Sequence, residues 1–234
     1  MNVLIACEES QHVCIAFRKR GHNAFSCDIQ EPSGGHPEWH ILGDALKAIR
    51  AGGFATMDGM LHFVKRWDLI IAHPPCTYLS NAGACRLYPR AGQLDIKRYN
   101  KGMQAKEFFM MFLNASCDHI AVENPIPSKV FDMPHYTQII QPYEHGHPYS
   151  KKTCLWLKNL PNLKPTKIIS DYKPYVSCGT SANKGNKNKA GVSRSGGAQK
   201  IRSKTFEGIA EAMAEQWGDI ENFKNEQLSF FDKE

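Results

Sequence analysis

A thiol and a carboxylate at the ends of two apolar runs are where this chain of 234 residues could do chemistry. Cys76 follows the double proline Pro74-Pro75 after Leu69-Ile70-Ile71-Ala72, and a small polar turn, Ser80-Asn81-Ala82-Gly83, comes just behind it. Glu123-Asn124-Pro125 closes the run Ile120-Ala121-Val122. A cysteine reacts as the thiolate, and its usual pKa of about 8.5 falls beside a helix N-terminus or a cation. The competing reading is a buried, inert thiol. Two further acids end apolar runs. Asp28, after Ala24-Phe25-Ser26-Cys27, is placed to hydrogen-bond the two hydroxyls of a ribose, or else is a solvated turn residue. Asp44, after Gly43, either accepts from an adenine amino group or caps a helix begun at Ala45.

These groups need a frame that brings strand ends together. Val3-Leu4-Ile5-Ala6 reads as a first strand, with a turn at Glu8-Glu9, Ser10 as N-cap, and a helix through Val13, Ala16 and Phe17 that ends on Arg18-Lys19-Arg20-Gly21. Strands follow at 24–28 and 40–44, a helix interrupted at Gly52-Gly53 over 45–66, and a fourth strand at 67–72. Residues 84–100 read as a basic loop, with a helix from Gly102 and a fifth strand at 120–122. Two antiparallel strands, 138–143 and 153–157, complete the sheet, and Phe206, Ile209, Ala210, Met213 and Trp217 keep the spacing of a last amphipathic helix. Strand–helix alternation followed by a strand pair predicts an α/β, doubly wound, Rossmann-like sheet. Met110, Met111 and Trp156 are expected in its core.

Composition narrows the class. Hydrophobic residues make up 42% of the chain and aromatic residues 10%, as in an ordinary globular protein. No apolar run approaches the ~20 residues of a membrane span. The start, MNVLIACEES, lacks a basic leader region, so a cytoplasmic protein is expected. Eight cysteines without a CxxC pair argue against a zinc ribbon and a disulfide framework. His135, His145 and His147 lie among Gly and Pro, which points to a turn and no metal. The net charge of +6 is concentrated: between Tyr172 and Phe206 there are eight basic residues and no acidic one. The expected layout is a catalytic domain over 1–170, a flexible basic segment over 171–204, a helix over 205–218 that packs on the catalytic domain, and a tail over 219–234.

Pro75-Cys76, Ser80-x-x-Gly83 and Glu123-Asn124 one strand later resemble, in type and order, the DNA cytosine 5-methyltransferase family, most closely its short phage or prophage members. The likeness runs over roughly residues 1–157. It implies a class I methyltransferase sheet with a reduced or absent target-recognition domain, acting on DNA with S-adenosylmethionine in a bacterial or phage-infected cell. Carbon 5 of cytosine is too weak a nucleophile to take a methyl group unaided, so a thiolate must first add to carbon 6. A carboxyl group must meanwhile hold ring nitrogen 3, and the base must leave the duplex. The resemblance gives these tasks to Cys76 and Glu123, with Lys152 beside them. It places the methyl donor against Ala6, Cys7, Glu8 and Glu9, with Asp28 at the ribose, Asp44 near the adenine, and Ile29, Ala45 and Pro74 as further contacts.

The chain departs from the family twice. Its first turn is acidic where glycines are usual, and Lys151-Lys152 stand where the family carries Gln-x-Arg-x-Arg, which gives point charges without the bidentate fork. Ser80, Arg86, Arg90, Lys151, Lys184, Lys187 and Arg194 are the expected DNA contacts, mostly to phosphate. In the tail, Gln227-Leu228-Ser229-Phe230-Phe231 is similar to the linear motif that docks on the replicative sliding clamp, with Gln227, Leu228, Phe230 and Phe231 as anchors. Three alternatives stay open: the same chemistry on RNA or a nucleotide, methylation of an exocyclic amine with Tyr78 stacking on the base, and a catalytically silent DNA- or clamp-binding module.

Overall fold

The computed structural model describes residues 1–84, 86–176 and 202–219. The chain opens with β1 (Asn2–Ala6), α1 (His12–Lys19), β2 (Asn23–Asp28), β3 (His40–Leu42) and a one-turn helix α2 (Ala45–Ala48). A hairpin of β4 (Gly52–Ala55) and β5 (Leu61–Val64) follows, then β6 (Leu69–Ala72), a short α3 (Asn81–Ala84), α4 (Ile96–Leu113) and β7 (His119–Pro125). The rest is β8 (Gln138–Ile140), β9 (Tyr149–Ser150), β10 (Thr153–Lys158), β11 (Lys173–Pro174) and a last helix, here α5 (Glu207–Trp217).

Seven strands form one sheet in the order β3-β2-β1-β6-β7-β10-β8. The first five are parallel neighbours, and β10 runs against both β7 and β8. Strand alternation splits the core into two layers. Val3, Ile5, Leu69 and Ile71 face α1 and α5, where they meet Val13, Phe17, Ile209, Met213 and Trp217. Leu4, Ala6, Ile70 and Ala72 face the other way, onto Phe109 and Phe112 of α4 and onto Trp67. A sheet buried on both sides needs near-continuous apolar strands, and Val3–Ala6 and Leu69–Ala72 are fully buried for that reason.

Several expectations are corrected. Only Ala45–Ala48 of the expected 45–66 helix is helical; Gly52 at φ 99° and Ala51 at φ 58° turn the chain into the β4–β5 hairpin instead. Phe54 and His62 of that hairpin pack on Phe25 and Trp67, an aromatic contact that the helical spacing concealed. α4 starts at Ile96 rather than 102, because the Asp95 carboxylate accepts from the Arg98 N–H and caps it. Ser10 does not cap α1; the Glu8 carboxylate takes that place. Met111 is 52% exposed, whereas Trp156 is buried. Within 171–204, Lys173-Pro174 pair with Tyr149-Ser150 as a short parallel strand. Among the described residues no helix is long and apolar enough to cross a membrane.

Candidate active site

The parallel strands β1, β6 and β7 end side by side, with Ala6, Ala72 and Val122 in register. Strand order reverses between β1 and β6, and crevices beyond the carboxyl ends at such a point hold ligands in open α/β sheets. His73 continues β6 by one residue, its N–H donating to Ala6 C=O at 2.9 Å, and the prolines then break the strand and lift Cys76 off the sheet.

The turn after Cys76 is fixed by many short contacts. Ser80 N–H donates to Cys76 C=O at 3.1 Å, and Ser80 Oγ accepts from Gly83 N–H at 3.2 Å. A side chain on Gly83 would place its Cβ 2.2 Å from Thr77 O, so only glycine lets the turn close. Asn124 Nδ2 donates to Pro74 C=O at 2.8 Å, tying the end of β7 to the thiol loop. The Ser-x-x-Gly and Glu-Asn patterns therefore have a structural role here, and Ser80, expected at DNA, is buried in the turn. Arg98 Nη2 donates to Thr77 C=O at 3.3 Å and Gly83 C=O at 3.0 Å, and its guanidinium lies 5.0 Å from the Tyr78 ring centre. Sequence reasoning gave Arg98 no role beyond a basic loop.

Cys76 is half-buried. Burial and the charge of Glu123 push its thiol above the ordinary range, while Lys151 and Arg202 pull it back. Glu123 is half-buried too, and its desolvation alone would raise its pKa; the hydrogen bond and charge of His73, with Lys151, outweigh it and hold the carboxyl low. His73 Nδ1 lies 3.1 Å from Glu123 Oε2, and the two side chains are only 9% and 17% exposed. The sequence reading passed over His73; its place immediately before Pro-Pro-Cys was the available signal. Lys151, whose Nζ donates to Arg202 C=O at 3.0 Å, faces Glu123 across a narrow crevice that Thr205 and Phe206 also line. Lys152 is exposed, because neighbours on an extended segment point to opposite sides.

The expected donor cradle is built differently from a glycine turn. Cys7 adopts φ 60°, and Glu8 folds under α1, where Oε1 accepts from Val13 N–H at 2.6 Å and Oε2 from Cys14 N–H at 3.2 Å. Burial pushes Glu8 up to about 7, against the pull of His73 and those two N–H groups. Glu9 is buried next to it, and the Cys7 thiol is pushed far up by burial and by Asp28. Asp28 is half-buried at the end of β2, where Oδ1 accepts from Gln30 N–H at 2.9 Å. Ile29 beside it is 79% exposed and Leu42 on the next strand 47%, an open apolar flank. Asp44 Oδ1 accepts from Leu46 N–H at 2.9 Å and caps α2, with Ala45 buried behind it; Pro74 is buried beneath the thiol loop.

Counted within the large sheet alone, β6, β7, β8 and β10 are strands four to seven, giving the order 3-2-1-4-5-7-6 with the seventh reversed. This is the sheet of class I methyltransferases. The chain is structurally similar, at low identity, to a protein described as a DNA modification methyltransferase encoded within an E. coli prophage, with 14% identity over 72% of this chain and 52% of that one and a TM-score of 0.41. It is likewise similar to the Entamoeba histolytica methyltransferase EhMeth, at 12% identity over 72% and 57% of the two chains and a TM-score of 0.40. The chain thus spans little more than half the length of either. No family model matches the sequence, and no curated protein matches it.

Arg86 and Arg90 are exposed on the segment between α3 and α4. Lys184, Lys187, Arg194, Gln227, Leu228, Phe230 and Phe231 lie outside the described residues. Among the described residues no cluster of three or more His, Cys, Asp or Glu could hold a metal ion.

Proposed function

We propose that this protein transfers a methyl group to carbon 5 of cytosine in DNA, with Cys76 as nucleophile and Glu123 as the group that holds the ring. The observation that supports the reading is a thiol and a half-buried carboxylate at the ends of neighbouring strands, the thiol held up by the charge of Glu123 and both groups pulled down by Lys151. In the first step the thiol gives up its proton and Cys76 Sγ bonds to ring carbon 6, while the electrons of the 5,6 double bond move toward nitrogen 3, which takes up a proton by way of Glu123. The resulting enamine is nucleophilic at carbon 5. After carbon 5 has been methylated, its proton leaves to solvent, the double bond reforms and Sγ departs with the electrons of the S–C bond.

S-adenosylmethionine, when bound, supplies an electrophilic methyl group. The residues present are compatible with the nucleoside end of that donor: Asp28, half-buried at the end of β2, would take the ribose hydroxyls, and Ile29 and Leu42 would offer an open apolar flank to the adenine. At the other end, Glu8 already occupies the Val13 and Cys14 N–H groups, so the donor's carboxylate would be held elsewhere than the start of α1. Arg86 and Arg90, with the basic residues beyond 176, would contact phosphate, and the segment Gln227–Phe231 would dock on a sliding clamp. Loss of clamp binding on removing residues 226–234 would support the latter, and unchanged binding would remove it.

The enzymatic reading is tested by a covalent trap. Duplex DNA carrying 5-fluorocytosine, incubated with S-adenosylmethionine, is expected to form an adduct that disappears in Cys76→Ser. Absence of adduct with both DNA and RNA would overturn the proposal. Methylation independent of Cys76 would favour the exocyclic-amine route, in which Tyr78, with Arg98 and Lys101 near its ring, would be the stacking residue.

A further inference from the structure

Beneath the thiol, titratable side chains end three consecutive strands of the sheet: Glu8 just after β1, His73 just after β6 and Glu123 on β7. His73 sits between the other two. One ring nitrogen, Nδ1, is on Glu123 at 3.1 Å, and the other, Nε2, is buried with no hydrogen-bond partner. An unpaired buried nitrogen costs stability that an apolar side chain of similar size would not lose. Packing alone gives no reason for an imidazole in this place; the contact with Glu123 does.

We propose that His73 is a positioning residue for Glu123: its Nδ1 proton holds Oε2, leaves Oε1 to meet the pyrimidine, and through the carboxylate sets how readily Cys76 forms a thiolate. The part concerning the pyrimidine rests on the function proposed above; the coupling from His73 through Glu123 to Cys76 stands without it. Among the described residues, charged groups from several elements bear on these three. His73 contacts Glu123, and its charge acts on Glu8; the charge of Lys151 acts on Glu123; Glu123 acts on the thiols of Cys76 and Cys154; and Lys151 and Arg202 act on Cys76. With His73 removed, the burial of Glu123 is opposed by Lys151 without the imidazole, so the carboxyl moves up from its depressed position and, to the extent that it is protonated, no longer opposes ionisation of Cys76. Loss of the imidazole should therefore make the thiol more acidic, the reverse of what removal of a catalytic base produces.

The test is the pH dependence of iodoacetamide alkylation at Cys76, followed by mass spectrometry of its peptide, in the full-length protein without substrate. In His73→Asn the midpoint is expected to fall by about one pH unit, with about threefold faster alkylation at pH 7, since a more acidic thiolate is also less nucleophilic. Glu123→Gln should give the same shift, and the double variant no more than either single one. An unchanged midpoint in folded His73→Asn, or additive shifts in the double variant, would overturn the proposal. If circular dichroism shows His73→Asn unfolded, His73→Gln replaces it; failure of both to fold assigns His73 a structural role and overturns the idea equally. Failure of the fluorocytosine trap in the unmodified protein, with the midpoint shift present, would remove the proposed function and leave this coupling intact.

Discussion

Glu8 is a carboxyl group that the fold must keep out of water while it caps α1. Its pKa rises from about 4.5 in the unfolded chain to about 7 in the folded one, so the native state binds the extra proton across that window. Stability is therefore expected to fall as pH rises from 4.5 through 7, with the native state losing on the order of 3 kcal/mol at about 1.4 kcal/mol per unit. Urea denaturation of Glu8→Gln at pH 5 and pH 8 checks this, because the variant should lack that part of the decline. Lys151 gives a second residue-scale prediction. Its charge pulls down both Glu123 and Cys76, so Lys151→Met should slow adduct formation by about 3- to 10-fold, as removal of one cation from a partly buried site would. Lys152→Met, at an exposed position, should leave the rate within about twofold.

At the scale of elements, the glycines show which contacts are tight. Gly102 lies inside α4, where alanine is ordinarily better by about 1 kcal/mol. Here the added Cβ would stand 2.2 Å from Phe131 Cε1 and Cζ, and that ring is 1% exposed and cannot swing away. Overpacking costs about 1–3 kcal/mol and should win, so Gly102→Ala is expected to lower the thermal midpoint rather than raise it. Gly83→Ala meets a backbone oxygen, Thr77 O, and should displace the thiol loop; near-complete loss of adduct with a folded far-ultraviolet spectrum is the expected result. The boundary errors of the sequence reading belong to this scale. Ser10 had the right chemistry for an N-cap, but the chain turns left-handed at Gln11, φ 61°, and brings Glu8 under the helix instead. The β4–β5 hairpin looked helical because Leu46, Ile49, Phe54 and Leu61 keep loosely helical spacing, and only the contacts with Phe25 and Trp67 select the strands.

For the molecule as a whole, α5 completes the layer that covers β1 and β6. Trp217 is fully buried, and its Nε1 donates to Pro161 C=O at 3.0 Å. Trp217→Ala should destabilise the fold by about 3–5 kcal/mol, read as a lower urea midpoint with an unchanged slope. The same helix brings Thr205 and Phe206 against the crevice of Glu123 and Lys151, so distant parts of the chain share one site.

By itself the sequence determined the sheet and the strand-end positions of Asp28, Asp44, Cys76 and Glu123, because apolar runs ended by a turn or an acid are a local, period-two signal. The antiparallel pair of β8 and β10 was legible for the same reason. What tertiary structure alone decided was which groups meet. His73 acquires a partner fifty residues away only when β6 and β7 lie in register, and Lys151 rather than Lys152 reaches the site because of the side to which an extended residue points. Spacing along a chain fixes the element that carries a side chain; the charge that a buried group feels depends on neighbours from other elements, and these exist only once the sheet has closed over them.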